Sequence, residues 1–404
     1  MRRLLFAILA SAALLAPGLP VLAREAAPAA AQAAAPQAAP SPKRARLNGR
    51  VFDRVWDLTR KHYYDRNFNG VDWDESRRRF RPQALAAHDE TALYRVLGAM
   101  LDELNDAHAN VLTPTQARYD AHRNVPRPLL GLMLVREDGR YLVQDVRPGS
   151  PAEAIELELG WEVRSIDGQP YYPGLPLADG RPVAVDFVDA QGRLRSLVLT
   201  PRVMPSPPRR TAHWAAPDVL VLSFDGFDSG VGKWVNQQLA SAPPGSHVVL
   251  DLRGNRGGLV HEAQNVLSCF LPERTVWVRH RPRGRDEQTM RLRRACKPFA
   301  GSLAVLVNGA SRSAAELTPG ALQDYARAVI VGRRTAGDVL ISTNLRLPDG
   351  GLLSLSISDV RLPAGERLEH RGVDPDIEAQ TTLADRRLGR DPALDAAVAA
   401  VRAQ

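Results

Sequence analysis

Apolar positions after residue 43 recur at the three-to-four spacing of amphipathic helices. One apolar stripe begins at Val51, and a second runs over residues 93–104. Asp106 favours the end of the second helix, which places His108 just beyond the last turn. An N-terminal helical domain is therefore predicted over residues 44–122.

From about residue 125 the pattern changes to that of short strands. Three apolar runs are predicted strands, namely residues 130–135, 141–143 and 197–199. Asp138-Gly139 predicts a hairpin turn, and residues 166–168 predict a second turn. Ser150 is a predicted cap of a short helix. A small β-rich domain is expected over residues 123–205.

From about residue 211 predicted strands and helices alternate. The strands are residues 219–224, 247–252, 303–307, 328–331 and 352–357, and the helices are residues 231–240, 257–267 and 314–328. Such alternation implies a parallel-containing sheet covered by helices. The predicted fold class is α/β, with an α/β domain over residues 206–385 and a C-terminal helix over residues 386–404. Ligands of such sheets bind beyond the carboxyl ends of the strands, so the chemistry is expected there.

The first 23 residues have the pattern of a secretory signal. Arg2 and Arg3 precede a short apolar core, and small residues end the segment at Ala23. The core is too short for a membrane anchor, so a periplasmic or secreted protein is predicted. Residues 24–43 are rich in alanine and proline and can bury little apolar surface, which predicts a tether.

Composition narrows the function classes. The 404 residues are 44% hydrophobic and 24% charged, which excludes a disordered tail. The net charge is +8, but basic residues are scattered among acids, which favours a solvated surface over a nucleic-acid groove. Peripheral contact with a membrane is left open. Two cysteines exclude a four-cysteine zinc module, and whether Cys269 and Cys296 form a disulfide stays open at this point.

Ser313 follows the predicted strand 303–307 and begins a predicted helix. A serine at such a turn projects its hydroxyl into a cleft, and the free amides of the first helical turn can stabilise an oxyanion. Two alternatives stay open. Ser313 and Glu316 also have the spacing of a helix-capping box, and Ser311 is an alternative nucleophile.

Two further segments fall at the same predicted edge. Residues 251–258 (DLRGNRGG) follow a buried strand, and their glycines let the backbone approach a substrate without matching a phosphate-binding fingerprint. Residues 372–376 (GVDPD) follow Glu369 and His370 and are ordinary turn chemistry when taken alone.

Together and in this order, these segments resemble the C-terminal processing (tail-specific) peptidase superfamily, which includes the tricorn-core peptidases and the repeats of interphotoreceptor retinoid-binding protein. The resemblance covers most of residues 50–380. The β-rich module, with Gly131-Leu132 and a PGSPA segment at 148–152, is similar to a PDZ domain. The Gly-Asp usual before one PDZ strand is Gly160-Trp161 here.

The resemblance implies that Ser313 is the nucleophile and that the amides of Gly258 and Ala314 form the oxyanion hole. Ser-Lys members of the superfamily carry a lysine about 25 residues after the serine. This chain has Asp338 there, and its last lysine is Lys297. Arginine stays protonated and cannot replace the lysine, so the Ser-Lys dyad is excluded.

The tricorn-like branch uses a histidine after the helical segment and a glutamate before the GVxPD segment. The matching residues are His108, as the base, and Glu369, as the group that orients it or stabilises its cation. That branch often has serine before the histidine, where this chain has Ala107, so the link runs through water or another hydroxyl, or is weakened. His261 and His370 are the competing histidines.

The resemblance therefore implies an exported serine peptidase that cleaves proteins or peptides by a Ser-His-Glu mechanism, with no metal or organic cofactor. Gly131, Leu132 and His261 are expected substrate contacts, and an edge strand of the PDZ-like module would capture an extended peptide, in some cases by its C-terminus. The main alternative is a catalytically silent protein that binds peptides or hydrophobic ligands. A third possible function is that of a scaffold protein that only binds partner proteins.

Overall fold

The computed structural model describes residues 39–121, 126–137, 140–155, 157–204, 210–382, 385 and 388–404. The predicted signal segment, most of the tether and the Asp138-Gly139 turn lie outside the described residues. None of the helices in the described ranges combines the length and the apolar character needed to cross a membrane.

The N-terminal part is helical, as predicted. Its helices are α1 (Pro42–His62), α2 (Trp73–Ala86), α3 (Glu90–Asp102) and α4 (Pro114–Ala121). Helix α1 includes the last two residues of the predicted tether, because the Ser41 side chain accepts a hydrogen bond from the Arg44 amide and caps the helix. The first three helices share a core that includes the fully buried Phe52 and Leu97.

The β-rich module contains β2 (Arg127–Leu129), β3 (Leu132–Glu137), β4 (Arg140–Val146), β5 (Glu162–Ile166), β6 (Gln169–Pro170), β7 (Val183–Val188), β8 (Leu194–Leu199) and β9 (Arg202–Met204). Its main sheet is antiparallel in the order β3-β4-β5-β7-β8, so β3 is an edge strand. The predicted turn at 166–168 is confirmed. The helix predicted after Ser150 is a short 3-10 turn, Pro151–Ala154, and Ser150 makes no side-chain cap bond to it, which corrects that prediction.

The α/β part is built on a six-stranded sheet of β10 (Arg210–Ala216), β11 (Val219–Phe224), β12 (His247–Asp251), β15 (Leu303–Val307), β16 (Val329–Gly332) and β19 (Ile377–Glu378), in that order. Within this sheet, β11, β12, β15, β16 and β19 run parallel to one another, and β10 is antiparallel to β11. Helices α5 (Val231–Ser241), α6 (Val260–Leu267) and α7 (Ala314–Asp324) pack on one face, and α8 (Pro392–Arg402) packs on the other. The predicted α/β fold is confirmed.

Two predicted helices are too long. Helix α6 starts at Val260 and not at 257, because Gly258 forms a β-bridge with Phe227 and has a φ of +146°, which is not helical. Helix α7 ends at Asp324 and not at 328, because the backbone turns into the left-handed region at Ala326.

A second sheet joins the N-terminal helices to the α/β part. It contains β1 (Asn110–Leu112), β13 (Val276–Pro282), β14 (Gln288–Arg291), β17 (Ile341–Arg346) and β18 (Leu352–Arg361). Strand β1 pairs antiparallel with β18, with Asn110 opposite Ser354. This pairing places residues 110–112 beside residues 352–354, which lie more than two hundred positions later in the sequence. The two cysteines, Cys269 and Cys296, form a disulfide that closes the connection between α6 and β15.

Candidate active site

Ser313 stands at a strained turn between β15 and α7. Its φ of 55° and ψ of −119° lie outside the regions that L-residues usually adopt, so surrounding contacts must hold it. Its amide donates to the Asp338 carbonyl at 2.8 Å and to the Glu316 carboxylate at 3.0 Å. The side chain is half-buried. We call residues 311–314 the serine elbow.

Glu316 joins the serine elbow to the segment that follows β16. This buried carboxylate also accepts hydrogen bonds from the Thr335 hydroxyl at 2.6 Å, the Gly337 amide at 2.6 Å and the Asp338 amide at 2.9 Å. Burial raises its pKa to about 7, while these donors oppose the rise. The capping interaction between Glu316 and the Ser313 amide is therefore present, and it fixes the turn that carries the serine.

The glycine loop, residues 251–258, packs directly on the serine elbow. A Cβ atom at Gly257 would lie 2.7 Å from the Ser313 Cβ, and one at Gly258 would lie 2.7 Å from the Phe227 carbonyl oxygen. Asn255 holds the loop, because its side chain accepts from the Gly257 amide at 2.9 Å and its carbonyl accepts from the Arg312 amide at 3.0 Å. A side chain at position 257 would therefore collide with the serine elbow, and one at position 258 with Phe227, so both positions require glycine.

Glu369 reaches the same neighbourhood through the segment after β16. Its Oε2 accepts a hydrogen bond from the Val339 amide at 2.8 Å, one residue beyond the Asp338 carbonyl that binds the Ser313 amide. The His370 amide donates to the Gly337 carbonyl at 2.8 Å and fastens the two segments together. Ser313 and Glu369 thus bind backbone groups of adjacent residues.

The Glu369 carboxyl is 5% exposed. Burial, chiefly, and the charges of Asp106 and Asp338 raise its pKa to about 8. Its Oε1 is buried and has no hydrogen-bond partner within the described part of the chain. The raised pKa therefore favours the protonated form of this carboxyl in the free protein at neutral pH.

His108 lies two residues before β1 and is carried to the site by the β1–β18 pairing. Burial lowers the pKa of its imidazole; the charges of Asp106 and Asp338 act upward, and that of Arg312 acts downward. The carbonyl of Asp338 accepts the hydrogen bond from the Ser313 amide, and Arg312 directly precedes Ser313 in the chain. Nδ1 of His108 is buried without a hydrogen-bond partner among the described residues. The histidine is therefore neutral at neutral pH, as a general base must be.

Asp338 occupies the place where Ser-Lys enzymes would carry their base. Its carboxylate forms an ion pair with Arg312, and its amide donates to Glu316. The charge of Asp338 acts on the pKa of both His108 and Glu369. This position supplies negative charge to the site.

The competing residues have other surroundings. The Ser311 hydroxyl is fully buried, donates to the Leu252 carbonyl at 2.8 Å and accepts from the Asn308 amide at 3.1 Å, so it supports the turn. The side chain of His261 is 66% exposed, with Nε2 3.9 Å from Glu262. Nε2 of His370 lies 4.0 Å from Glu369 Oε1. These positions favour Ser313 as the nucleophile and His108 as the base.

The expected substrate contacts Gly131 and Leu132 lie at the start of edge strand β3. A Cβ atom at Gly131, whose φ is +88°, would lie 2.0 Å from that of Ser150, so glycine is required there. A cavity of about 850 Å³ separates the β-rich module from the carboxyl ends of β12 and β15. Its lining includes Leu142, Asp145, Asp251, Arg253, Asn308 and Arg333. Across the described ranges, no group of three or more His, Cys, Asp or Glu side chains is arranged to hold a metal ion.

Two family models match parts of the chain. Residues 218–379, which include the glycine loop, Ser313 and Glu369, match peptidase family S41. Residues 50–102, which lead to His108, match the C1 domain of tricorn protease. The chain belongs to the C-terminal processing peptidase superfamily. The resemblance found in the sequence is confirmed, and membership classes the chain with the serine-type peptidases.

Relatives of both branches of this superfamily match. The carboxyl-terminal-processing protease of Picosynechococcus is 28% identical over 350 residues, covering 80% of this chain and 81% of the relative. Carboxyl-terminal-processing peptidase 3 of Arabidopsis thaliana is 25% identical, covering 83% of this chain and 70% of the relative. Tricorn protease homolog 1 of Streptomyces coelicolor is 30% identical and covers 86% of this chain. The chain spans only about a third of that relative, 34%.

Solved structures of the superfamily share the fold. The photosystem II D1 C-terminal processing protease matches with a TM-score of 0.62 and 24% identity, covering 82% of this chain and 93% of that structure. The tricorn protease matches with a TM-score of 0.54 and 17% identity, covering 89% of this chain and 37% of that structure.

Proposed function

We propose that this chain is an exported serine endopeptidase or carboxy-terminal processing peptidase that uses Ser313, His108 and Glu369. The observation that carries the proposal is the junction at residues 338–339. The Ser313 amide binds the Asp338 carbonyl, Glu369 binds the Val339 amide, and the charge of Asp338 acts on His108. Residues 338 and 339 thus form hydrogen bonds with Ser313 and Glu369 and act electrostatically on His108.

In the proposed reaction, His108 takes the proton of the Ser313 hydroxyl while the serine oxygen bonds to the carbonyl carbon of the peptide. The carbonyl π electrons move to oxygen, and the resulting oxyanion accepts hydrogen bonds from the amides of Gly258 and Ala314. Protonated His108 then gives its proton to the leaving amine as the C–N bond breaks. Water, deprotonated by His108, hydrolyses the acyl-enzyme and restores the serine.

Glu369 would act when His108 gains its proton. The carboxyl is protonated in the free protein, but a nearby imidazolium favours its ionised form, so the two groups would share the charge that the reaction creates. Ala107 offers no hydroxyl to join them. The unpartnered Nδ1 of His108 and Oε1 of Glu369 would therefore be linked through another polar group, such as water.

The substrate would be a protein or peptide captured in an extended conformation. Strand β3 is at the edge of its sheet, so its free side can pair with a peptide strand. The Leu134 carbonyl of β3 now accepts a hydrogen bond of 3.2 Å from Arg256, in the glycine loop. A peptide that pairs at this carbonyl would compete with Arg256. Cleavage of a peptide with a free C-terminus, compared with its C-terminal amide, measures whether the carboxylate is recognised.

Export would follow cleavage after Ala23. N-terminal sequencing of the protein recovered from outside the cytoplasm should then give Arg24 as the first residue. A protein that keeps Met1 in the cytoplasm would contradict export without affecting the proposed chemistry.

The chemistry is tested by covalent labelling with a fluorophosphonate, which reacts with activated serine. The wild-type protein should be labelled, Ser313→Ala should not, and His108→Ala should react at least about a hundredfold more slowly, because a general base typically contributes that much. Ser311→Ala is the matched serine control and should still be labelled. Labelling of His108→Ala at the wild-type rate would remove the proposed base.

The rival function, a silent binding protein on this fold, predicts no labelling of any variant together with peptide or ligand binding that survives Ser313→Ala and His108→Ala. The absence of the hydroxyl at Ala107 is the observation that favours it. Labelling of Ser313 in the wild-type protein would by itself reject the silent binding function.

A further inference from the structure

Asp106 is a buried carboxylate beside the proposed base that the reaction described so far does not use. It is 8% exposed, and its Oδ1 accepts the backbone N–H of His108 at 2.8 Å. Its Oδ2 is buried without a hydrogen-bond partner among the described residues. Burying an unpaired carboxylate oxygen is costly, and a turn-forming role would be served as well by asparagine or serine. The carboxylate therefore requires a further explanation.

The loop that carries Asp106 is fixed from the side of α1. The Asn69 side chain donates to the Leu104 carbonyl at 2.7 Å and to the Tyr63 hydroxyl at 3.0 Å. The Ala109 amide donates to the Asp106 carbonyl at 3.0 Å. Burial first, and then the charge of the neighbouring Asp106, raise the pKa of the Tyr63 phenol. Asp106 is thus held between Tyr63 and His108.

Besides Asp106, the charged groups that act on the pKa of His108 come from two other segments. Arg312 precedes α7 and Asp338 follows β16, while Glu369, whose pKa responds to Asp106 and Asp338, follows β18. Asp338 is paired with Arg312, and the pKa of Glu369 is raised to about 8, chiefly by burial. Asp106 has no cation within 4 Å in the part of the chain that the structure describes. Its charge acts to raise the pKa of the imidazole.

We propose that Asp106 is the positioning residue of the base: its Oδ1 fixes the turn that presents His108, and its negative charge stabilises the imidazolium formed when His108 takes the serine proton. This inference rests on the proposed function of His108. It assigns to the helical segment a carboxylate that works beside Glu369, the acidic residue that the resemblance implies. The raised pKa of Glu369 favours its neutral form in the free protein, so Asp106 and the Arg312-paired Asp338 carry the negative charge near His108 at the start of the reaction.

The test is Asp106→Asn in the full chain. Asparagine keeps an oxygen that can accept the His108 amide but removes the charge. The rate constant for fluorophosphonate labelling should fall at least about tenfold at neutral pH, because the imidazolium loses a stabilising charge. The acid limb of the pH profile of labelling should move to lower pH, because the Asp106 charge that raises the pKa of His108 has been removed. Asp89→Asn, at the cap of α3, is the matched control and should leave both unchanged.

Two additional measurements cover a variant that folds poorly. Asp106→Ser also keeps an acceptor without charge and should show the same loss of rate and the same shift. In a Ser313→Ala background, NMR titration of the His108 ring should give a lower pKa after Asp106→Asn, which requires no activity.

The outcomes separate this inference from the proposed function. If His108→Ala is labelled as fast as the wild type, the proposed base is wrong, and Asp106 loses its role with it. If His108→Ala is inert while both Asp106 variants keep the wild-type rate and pH profile, only the role of Asp106 is wrong. A change in the NMR pKa without any change in rate would also overturn the role.

Discussion

Replacing Glu369 by glutamine should change how the stability of the protein depends on pH. The carboxyl is almost fully buried, and its pKa is raised from 4.5 to about 8. The folded protein therefore keeps this proton over a range in which the unfolded chain releases it. A raised pKa of this kind gives a stability that is fully present below the unfolded value and is lost as pH rises through the folded value.

The size of the effect follows from the pKa shift. Each unit of pKa is worth about 1.4 kcal/mol, so between pH 5 and pH 8 the ionisation of Glu369 should lower the free energy of unfolding by about 3 kcal/mol. Glutamine has nothing to ionise, and its amide oxygen can still accept the Val339 amide. The free energy of unfolding of Glu369→Gln, relative to the wild type, should therefore rise by about 3 kcal/mol over this range.

The assay is urea denaturation followed by tryptophan fluorescence at pH 5, 6, 7 and 8. Glu316, whose pKa is also raised, is present in both proteins, so its contribution cancels in the difference. Glu273→Gln is the control at an exposed site and should differ from the wild type by a constant amount. A difference between Glu369→Gln and the wild type that does not change with pH would refute the reasoning, because Glu369 would then be ionised when folded.

Three further variants test the surroundings of the serine and the disulfide. Ser311→Ala should keep fluorophosphonate labelling but lower the free energy of unfolding by about 1–3 kcal/mol, because it leaves buried partners of the hydroxyl unpaired; loss of labelling with unchanged stability would contradict this. Gly258→Ala should abolish labelling, because its Cβ would meet the Phe227 carbonyl at 2.7 Å; wild-type labelling would disprove the close approach. Cys269→Ser with Cys296→Ser should lower the free energy of unfolding by about 3 kcal/mol, given a separation of 27 residues; equal urea midpoints with and without the disulfide would contradict this.

The buried strands were predictable from sequence because each is a continuous apolar run. The predicted runs 219–224 and 303–307 match β11 and β15 to the residue. Strands β1 and β10 are among those that were missed, for the opposite reason. Strand β1 has three half-buried residues, and β10 is largely exposed, so neither has a clear apolar pattern. Each lies beside a neighbouring strand in the fold, β1 beside β18 and β10 beside β11.

The chemistry of the site was predictable only in part. The candidate residues came from short segments in a family-like order, and nothing in the local pattern relates His108 to residues two hundred positions later. That relation depends on β1 pairing with β18, a three-residue contact. Asp106 appeared in the sequence only as the end of a helix, because the burial of its Oδ2 is a property of the folded chain.

The pairing of Cys269 and Cys296 illustrates the same limit. Export permits a disulfide, but the distance between the two cysteines depends on how the chain between α6 and β15 folds. The structure brings their Cα atoms to 4.8 Å. Sequence alone left both outcomes open.

The proposed reaction requires the His108 imidazole to meet the Ser313 hydroxyl at the edge of the sheet. A crystal structure of the protein labelled at Ser313 with a small phosphonate would show whether it does. We expect a ring nitrogen of His108 within hydrogen-bonding distance, about 3 Å, of the serine oxygen or a phosphonyl oxygen, with the amides of Gly258 and Ala314 facing the phosphonyl group. A His108 ring directed away from the labelled serine, with another side chain in its place, would contradict it.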